Sequence, residues 1–485
     1  MGLRLFNTLS RTLQDFVPLD PAARQVRMYC CGPTVYDFGH IGNFRTFVFS
    51  DLVSRYLRFR GYDVTYAMNL TDVEDKIIRR VRETNTTLAA YTQTYIDAFL
   101  SDLGALGCTK PEHMPRATAY IGQIVDLIQR LEKRGLAYRT ADGSVYFSID
   151  KYRAAERWPG CSCQYGQLVK LDFSEQRQTE RVSSDEYTKE NLADFALWKS
   201  RVADDGDIFW ESPWGQGRPG WHIECSAMSM ALLGDSFDLH LGGEDLAFPH
   251  HEDEIAQSEG AGGFHGDIWN RQQSFVKYWL HGAHLLVEGK KMSKSLGNFY
   301  TLRDLIGKGY TGREVRALLI SSHYRETFNF TLDGLAAART SLDRIDECLG
   351  KLREAAGSGL KDSPESTDEL LAAFTEAMDD DLNVSKAWGA IFEWVREKNR
   401  VIAAGQISAA DAAQALAAWQ RLDSVLGLGS KGEAQVPAEV TDLLEARTAA
   451  KKARDFARAD AVRAQLKELG WLVEDTAKGP KLKRI

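Results

Sequence analysis

Four residues far apart in the chain are of types that bind a soft divalent cation: Cys31, Cys225, His250 and Glu254. Cys31 ends "RMYCC" ahead of a Gly-Pro turn, Cys225 lies in "GWHIECSAM", and "PHHEDE" supplies the other two. Two thiolates, an imidazole and a carboxylate make a chemically reasonable Zn²⁺ shell. If "HHEDE" is helical, His250 and Glu254 fall at i and i+4 on one face, a spacing that selects His250 rather than His251. The order is not the HExxH of metalloproteases. A structural histidine–glutamate pair and inert buried cysteines remain the alternatives, because spacing does not show that the four residues converge. Adjacent Cys30 and Cys31 point to opposite faces of a strand, so only one of them serves a given site. The Cys161-x-Cys163 pair lacks a second paired motif and is not taken as a metal site.

Two further stretches suit phosphate. In "DFGHIGNFRT", Gly39 and Gly42 remove side-chain bulk, and His40 and Asn43 point to one side at a helix start whose free N–H groups favour anions. A plain helix-capping turn is the other reading. In "EGKKMSKSLGN", Lys290, Lys291 and Lys294 lie among glycines and serines, where mobile point charges can follow phosphates. An exposed lysine loop is the alternative. No GxxxxGK[ST] loop is present, so nucleotide binding would not be of the P-loop kind.

The elements that must carry these residues are legible. "QVRMYCC" reads as a buried strand, 43–60 as an amphipathic helix with Gly61 at its end, and "DVTYAMNLTD" as a second strand. Strand, helix, strand with short links begins a parallel α/β sheet. Short apolar segments between 151 and 219 suggest an insertion, after which the parallel fold resumes. From about 312 the chain predicts long amphipathic helices in a bundle. "GLGSKGEAQVP" reads as a linker to a terminal module of helices and a short hairpin. Its residues 441–485 hold 11 Lys and Arg against 7 Asp and Glu. Such an excess is either a solvated face or a modest contact to an RNA backbone.

Composition sets outer limits. With 44% hydrophobic and 26% charged residues the 485-residue chain is of globular type, with room for about three domains. No run approaches the roughly 18 apolar residues of a membrane span, and the opening residues hold no apolar signal core. Seven scattered cysteines exclude a disulfide scaffold. A cytoplasmic enzyme is the expectation. The net charge of −8 confines any nucleic-acid contact to a local basic track.

Taken together, these segments resemble the class I cysteinyl-tRNA synthetases over essentially the whole chain. "HIGN" from His40 is similar to one class I signature and "KMSKS" from Lys291 matches the other. "MYCCGPTVYD", "NLTDVEDKI", "GWHIECSAM", "FPHHEDEIAQ" and "AMDDDLNVSKAW" resemble segments special to the cysteine enzymes. The resemblance implies the first part of a Rossmann-like catalytic domain and the start of a connective insertion in 1–150, the insertion itself at 151–219 and the second catalytic part at 220–311. A helical tRNA-binding bundle at 312–430 and a basic anticodon module at 437–485 would follow. It implies ATP with Mg²⁺, L-cysteine and tRNA-Cys as partners, one Zn²⁺ on Cys31, Cys225, His250 and Glu254, and a monomer. His40, Asn43, Lys291 and Lys294 would be catalytic. Gly39, Gly42, His240, Gly242, Gly243 and Asp245 would join His40, Asn43 and Lys294 around ATP and the adenylate, and Cys31, Thr71 and Trp221 would meet the amino acid. Asn43 stands where that signature usually ends in histidine; it donates hydrogen bonds but carries no proton. The resemblance leaves two rivals: an ATP-dependent ligase joining cysteine to an amino sugar, and an inactive RNA-binding homologue.

Overall fold

An antiparallel hairpin of β1 (Arg4–Asn7) and β2 (Thr12–Asp15) precedes the main sheet. The segment QVRMYC, apolar at most positions, then forms β3 (Gln25–Cys30) in the middle of that sheet. Helix α1 (Ile41–Phe59) returns the chain to β4 (Asp63–Met68), which pairs with β3 in parallel from Gln25 opposite Asp63 to Cys30 opposite Met68. The computed structural model describes residues 2–155, 165–170, 194–262, 274–293, 297–357, 369–429, 438–453, 455–469, 471–476 and 479–484. Lys294, Cys161 and Cys163 lie outside these residues.

Helices α2 (Asp75–Thr84), α3 (Leu88–Ala105), α4 (Ile121–Lys133) and α5 (Ile149–Ala154) follow β4 in sequence. The insertion carries a four-stranded antiparallel sheet of β5 (Ala137–Arg139), β6 (Val145–Phe147), β7 (Phe195–Ser200) and β8 (Gly217–Pro219), in that order. Its first strand starts ahead of residue 151, where the apolar segments shorten. The chain re-enters the parallel sheet through α6 (Trp221–Leu233), β9 (Phe237–Gly243), α7 (His250–Ala261) and β10 (Val276–Gly282). The order is β10–β9–β3–β4, all parallel, so β3 has its next strand on one side and its later one on the other. In such a sheet the gap between the carboxyl ends of β3 and β9 is where ligands bind.

Helix α7 is buried along its whole length although its sequence is HHEDEIAQSEGA. Taking that many polar groups out of water is costly unless each is paired or has chemistry to do. Beyond the sheet, β11 (Leu285–Val287) lies between β12 (Lys290–Lys291) and β13 (Phe328–Phe330). Helices α8 (Leu302–Gly307), α9 (Gly312–Leu319), α10 (Leu332–Ala356), α11 (Glu369–Asp379), α12 (Val384–Ala403) and α13 (Ala409–Leu426) complete this part.

The bundle is tied to the sheet by buried charge. Arg316 of α9 is fully buried; its Nη2 reaches Asp51 Oδ2 of α1 at 2.6 Å and its Nε the carbonyl of Leu426 in α13 at 2.5 Å. Three consecutive aspartates, Asp379 and Asp381 buried and Asp380 half-exposed, make a second tie. Asp379 takes the hydroxyl of Tyr56 at 2.7 Å and pairs with Arg60, Asp380 pairs with Arg4 at 2.5 Å, and Asp381 accepts from Arg325 Nε at 2.7 Å and from the Phe6 amide at 2.8 Å. Asp381 and Leu382 both adopt left-handed backbone, φ 58° and 55°.

The chain divides at Leu428, and Gly429–Ile485 form a separate unit. It holds α14 (Ala438–Lys452), α15 (Phe456–Glu468) and the hairpin β14 (Trp471–Thr476) and β15 (Gly479–Arg484). Its own core contains Val440, Val462, Leu466, Trp471 and Val473.

Candidate functional site

The four predicted ligands meet at the carboxyl end of the parallel sheet. Cys31 follows β3, and its amide donates to the Leu241 carbonyl of β9 at 3.3 Å. Cys225 comes from α6, while His250 and Glu254 lie one turn apart on α7. Their donor atoms all fall within 4.8 Å of one another, and all four residues are buried. The thiols are 3.8 Å apart and unlinked; Glu254 Oε1 is 3.5 Å from Cys31 Sγ and 3.1 Å from His250 Nε2. Cys30 points the other way, into the core, where the Ser50 hydroxyl donates to its sulfur at 3.1 Å.

The surrounding charges suit a cation. Burial pushes the Cys31 thiol well up, whereas a hydrogen bond from Cys31 brings Cys225 down to about 6. Burial opposes ionisation of Glu254, but His240 and then His250 outweigh it and hold the carboxyl at about 2. Burial likewise opposes charge on His250, yet Cys225 and Glu254 carry its pKa to about 10. Two soft sulfurs, an imidazole and an ionised carboxylate, converging without a disulfide, fit Zn²⁺.

Four more histidines surround these ligands. His240, expected among the adenylate residues, is fully buried with Nε2 2.9 Å from Glu254 Oε2 and its ring stacked on Trp279; it belongs with the cluster. His251, set aside on spacing, is also part of it. Residues three apart on a helix are neighbours just as those four apart are, and His251 Nε2 lies 3.4 Å from Cys31 Sγ. A second donor set, Cys31, His240, His251 and Glu254, therefore shares two members with the first. His281, at the carboxyl end of β10, holds His251 Nδ1 with its Nε2 at 2.8 Å, and its own Nδ1 lies 2.9 Å from Thr8 Oγ1. Burial keeps His251 well below its ordinary pKa and brings His281 to about 3, so both rings stay neutral. His281 and His222 were missed in the sequence. His222 was within reach, since it stands three residues before Cys225 in the first turn of α6.

Trp221 and Thr71 flank this cluster by different routes. The half-buried Trp221 ring packs on His250 at 4.5 Å between centroids. Buried Thr71 accepts from Asn69 Nδ2 at 3.1 Å, and Asn69 Oδ1 accepts from the Gly32 amide at 2.8 Å, which ties Thr71 to the turn after Cys31. One guanidinium links the two sides. Arg218 of β8 pairs with Asp75 of α2 and lies 3.3 Å from Asp205, and Lys199 adds a contact to Asp75 at 3.1 Å.

At the start of α1, His40 and Asn43 form a reciprocal capping box. The Asn43 amide donates to His40 Nδ1 and the His40 amide to Asn43 Oδ1, both at 3.2 Å. The plain capping geometry is thus present, and it presents both side chains at the rim. The glycines have a separate cause. A Cβ at Gly42 would lie 3.0 Å from the His40 ring and 3.1 Å from Met292 Cε, so Gly42 lets the two signature segments touch. At Gly39 it would meet the Phe44 ring at 3.0 Å. Exposed Lys290 and Lys291 form β12, and Asn298 closes the stretch, taking the Ser293 amide at 2.8 Å and donating to the Lys291 carbonyl at 3.2 Å. Gly242 and Gly243 are buried at the end of β9, with exposed Asp245 just beyond.

Comparison with known proteins agrees with this geometry. Residues 17–340 match the family model described as tRNA synthetases class I (C) catalytic domain, 373–430 a DALR domain, and 433–480 a cysteinyl-tRNA ligase anticodon binding domain. The chain is similar to the cysteine–tRNA ligase of Chlamydia muridarum, 45% identical with both chains covered in full. It is equally similar to that of Chlamydia pneumoniae, 45% identical over all of this chain and 98% of that protein. Among solved structures, methionyl-tRNA synthetase of Mycobacterium tuberculosis with methionyl-adenylate superposes with TM-score 0.57 at 15% identity, over 83% of this chain and 90% of that one. A leucyl-tRNA synthetase complex from Agrobacterium radiobacter gives 0.56 at 13% identity, over 85% of each. Both of these likenesses concern the fold.

Proposed function

Because the chain belongs to the class I cysteinyl-tRNA synthetase family, we propose that it is a cysteine–tRNA ligase whose buried metal set selects the thiol of its substrate. In this reading the carboxylate of L-cysteine attacks the α-phosphate of ATP, pyrophosphate leaves, and the cysteinyl group passes to the 3′ end of tRNA-Cys. The observation that carries the reading is the convergence of Cys31, Cys225, His250 and Glu254 beside Trp221 and Thr71, at the open end of the sheet.

When bound, Zn²⁺ supplies a soft Lewis-acid position that favours sulfur over oxygen. Cysteine and serine differ there and almost nowhere else. A discrimination of about 10⁴ corresponds to about 5.5 kcal/mol, more than an apolar pocket obtains from so small a change. Trp221 and Thr71 hold the amino acid against the cluster, and the buried rings keep water from it.

His40 and Asn43 stand at the N-terminus of α1, where negative charge is favoured, and steady the phosphates of ATP. Because Asn43 carries no proton, its part is to orient and donate. Lys291, and Lys294 beyond the described residues, add positive charge as pyrophosphate forms. Gly242, Gly243 and Asp245 border the adenylate. No side-chain base is needed, since the attacking carboxylate is already ionised. The terminal unit matched by the anticodon-domain model contacts the tRNA, which distinguishes the protein from a ligase with an amino-sugar acceptor. In this reading it works in the cytoplasm as a monomer.

The test is aminoacylation of a tRNA-Cys transcript, run beside cysteine-dependent pyrophosphate exchange. Exchange without charging would overturn the tRNA reading. Comparing cysteine with serine before and after zinc removal addresses selection, and unchanged discrimination in metal-free enzyme would sink that part.

A further inference from the structure

The imidazole pairs around the metal set carry information about where protons sit. His250 turns Nε2 toward Glu254 Oε1, at 3.1 Å, and Nδ1 toward Nδ1 of His222, at 2.9 Å. Two ring nitrogens at that separation share one hydrogen, so one ring donates and the other accepts. The choice is made on the far side of His222. Its Nε2 lies 3.4 Å from Asp253 Oδ2, both side chains being almost wholly buried, and the Tyr165 hydroxyl donates to Asp253 Oδ1 at 2.6 Å. A carboxylate served by two donors accepts, so His222 carries its hydrogen on Nε2 and presents a lone pair at Nδ1. His250 must then keep its hydrogen on Nδ1. Its Nε2 faces Glu254, on the side where the other donors converge, and offers its lone pair to a metal once it gives up the hydrogen it shares with that carboxylate.

The second imidazole pair is built the same way but ends differently. His251 and His281 are joined at 2.8 Å, and His281 then meets the Thr8 hydroxyl, which is neutral and can donate or accept. Nothing in that chain fixes a tautomer, and nothing charged strengthens the outer nitrogen. The two candidate donor sets use His250 in one case and His251 in the other, so the difference in their supports separates them.

We infer that His222 and Asp253 are positioning residues for the metal: the series Tyr165–Asp253–His222–His250 holds His250 as the Nδ1–H tautomer, strengthens its Nε2 as a donor, and makes His250 rather than His251 the imidazole ligand. A carboxylate behind a ligating histidine acts in this way in metal sites generally. Here the carboxylate acts through a second imidazole, which lets α7 supply both the ligand and its support. Tyr165 reaches the helix from the insertion, where the amides of Gly166 and Leu168 donate to Glu252 at 2.8 Å each. The ligand face of α7 and its support face are thus held by different parts of the chain. The inference rests on the zinc reading proposed above.

The experiment is zinc titration of the full-length protein against a chromophoric chelator, with Co²⁺ as a spectroscopic substitute. Wild type binds one Zn²⁺ per chain; no binding would remove the zinc reading itself. His222→Phe deletes the acceptor and weakens zinc binding about 10- to 100-fold. His222→Asn returns an oxygen acceptor near the lost Nδ1 and recovers part of that loss. Asp253→Asn, nearly isosteric, weakens binding at least threefold and shifts the ligand-field bands of the Co²⁺ form while sulfur-to-metal absorption persists. His281→Phe leaves affinity within about threefold. If His222→Phe and Asp253→Asn bind zinc like wild type, the positioning role falls and the zinc site stands. If the large loss appears at His281 instead, His251 is the ligand and the assignment is overturned. Should His222→Phe fail to fold, Asp253→Asn decides.

Discussion

Alanine in place of Gly242 is expected to lower cysteine activation about a hundredfold while leaving the metal in place. A Cβ at this position would lie 2.5 Å from His251 Cε1 and 3.0 Å from its Nε2. Carbon atoms in ordinary contact are about 3.5–4.0 Å apart, so the ring must retreat by about 1 Å. It has little freedom to do so. Nδ1 is bound to His281 at 2.8 Å, and the rings of His240 and Trp279 pack against it at 4.5 and 5.1 Å. The displacement is therefore shared with the cluster around Cys31. A misplacement of about 1 Å in a reacting geometry costs about 10²-fold, or about 2.7 kcal/mol of barrier. Pyrophosphate exchange across a range of cysteine concentrations measures it: kcat/KM for cysteine should fall about a hundredfold with zinc content unchanged. Gly350→Ala is the control. It lies inside α10 with nothing within 4 Å of the added carbon, so activity should hold and stability rise by about 0.5–1 kcal/mol. Wild-type kcat/KM in zinc-loaded Gly242→Ala would refute the claim that the cluster is packed too tightly to yield.

Three further outcomes are expected. At pH 7 zinc uptake should release two protons, one each from Cys31 and His250, because Cys225 and Glu254 are already ionised there; affinity therefore rises with pH, and calorimetry in buffers of different ionisation enthalpy counts the protons. Arg316→Met strands Asp51 beside Arg55 and the Thr109 amide and should cost about 3 kcal/mol, the lower end for a broken buried pair, read as an earlier urea transition. Arg218→Gln separates β8 from Asp75 and should raise KM for cysteine several-fold with KM for ATP unchanged, in steady-state exchange kinetics.

Most of what positions the site was legible because it depends on contiguous pattern. The strand before Cys31 and the helix after His40 follow from apolar spacing and formed within two residues of expectation, while the return strand expected over 63–72 starts at Asp63 but ends four residues early, at Met68. The two signature segments are local strings, and the contact of Gly42 with Met292 shows why they occur together. The imidazole ring was not legible in the same way. Its members come from α6, β9, α7 and β10, four elements whose only common property is which end faces the gap. His240 was placed in the adenylate region by the resemblance of "HLGGED", and the structure buries it beside Glu254. His251 was lost to a rule that counted only the i+4 neighbour. The support from Asp253 could not be read at all, since it needs the direction of two ring nitrogens.

The run Asp379–Asp380–Asp381 also bears on how the protein can be taken apart. Each carboxylate is matched to an arginine elsewhere in the chain, Arg60, Arg4 and Arg325, and two of those precede the first helix turn of the bundle by hundreds of residues. A chimera cut at 312 would keep Arg325 with Asp381 but carry Asp379 and Asp380 without their arginines, and would inherit unpaired buried charge at Asp379. The joint available to an engineer is at Leu428, where the chain itself divides. Exchange of the terminal unit there leaves every one of these pairs intact, so the part matched by the anticodon binding domain model can be replaced without rebuilding the rest.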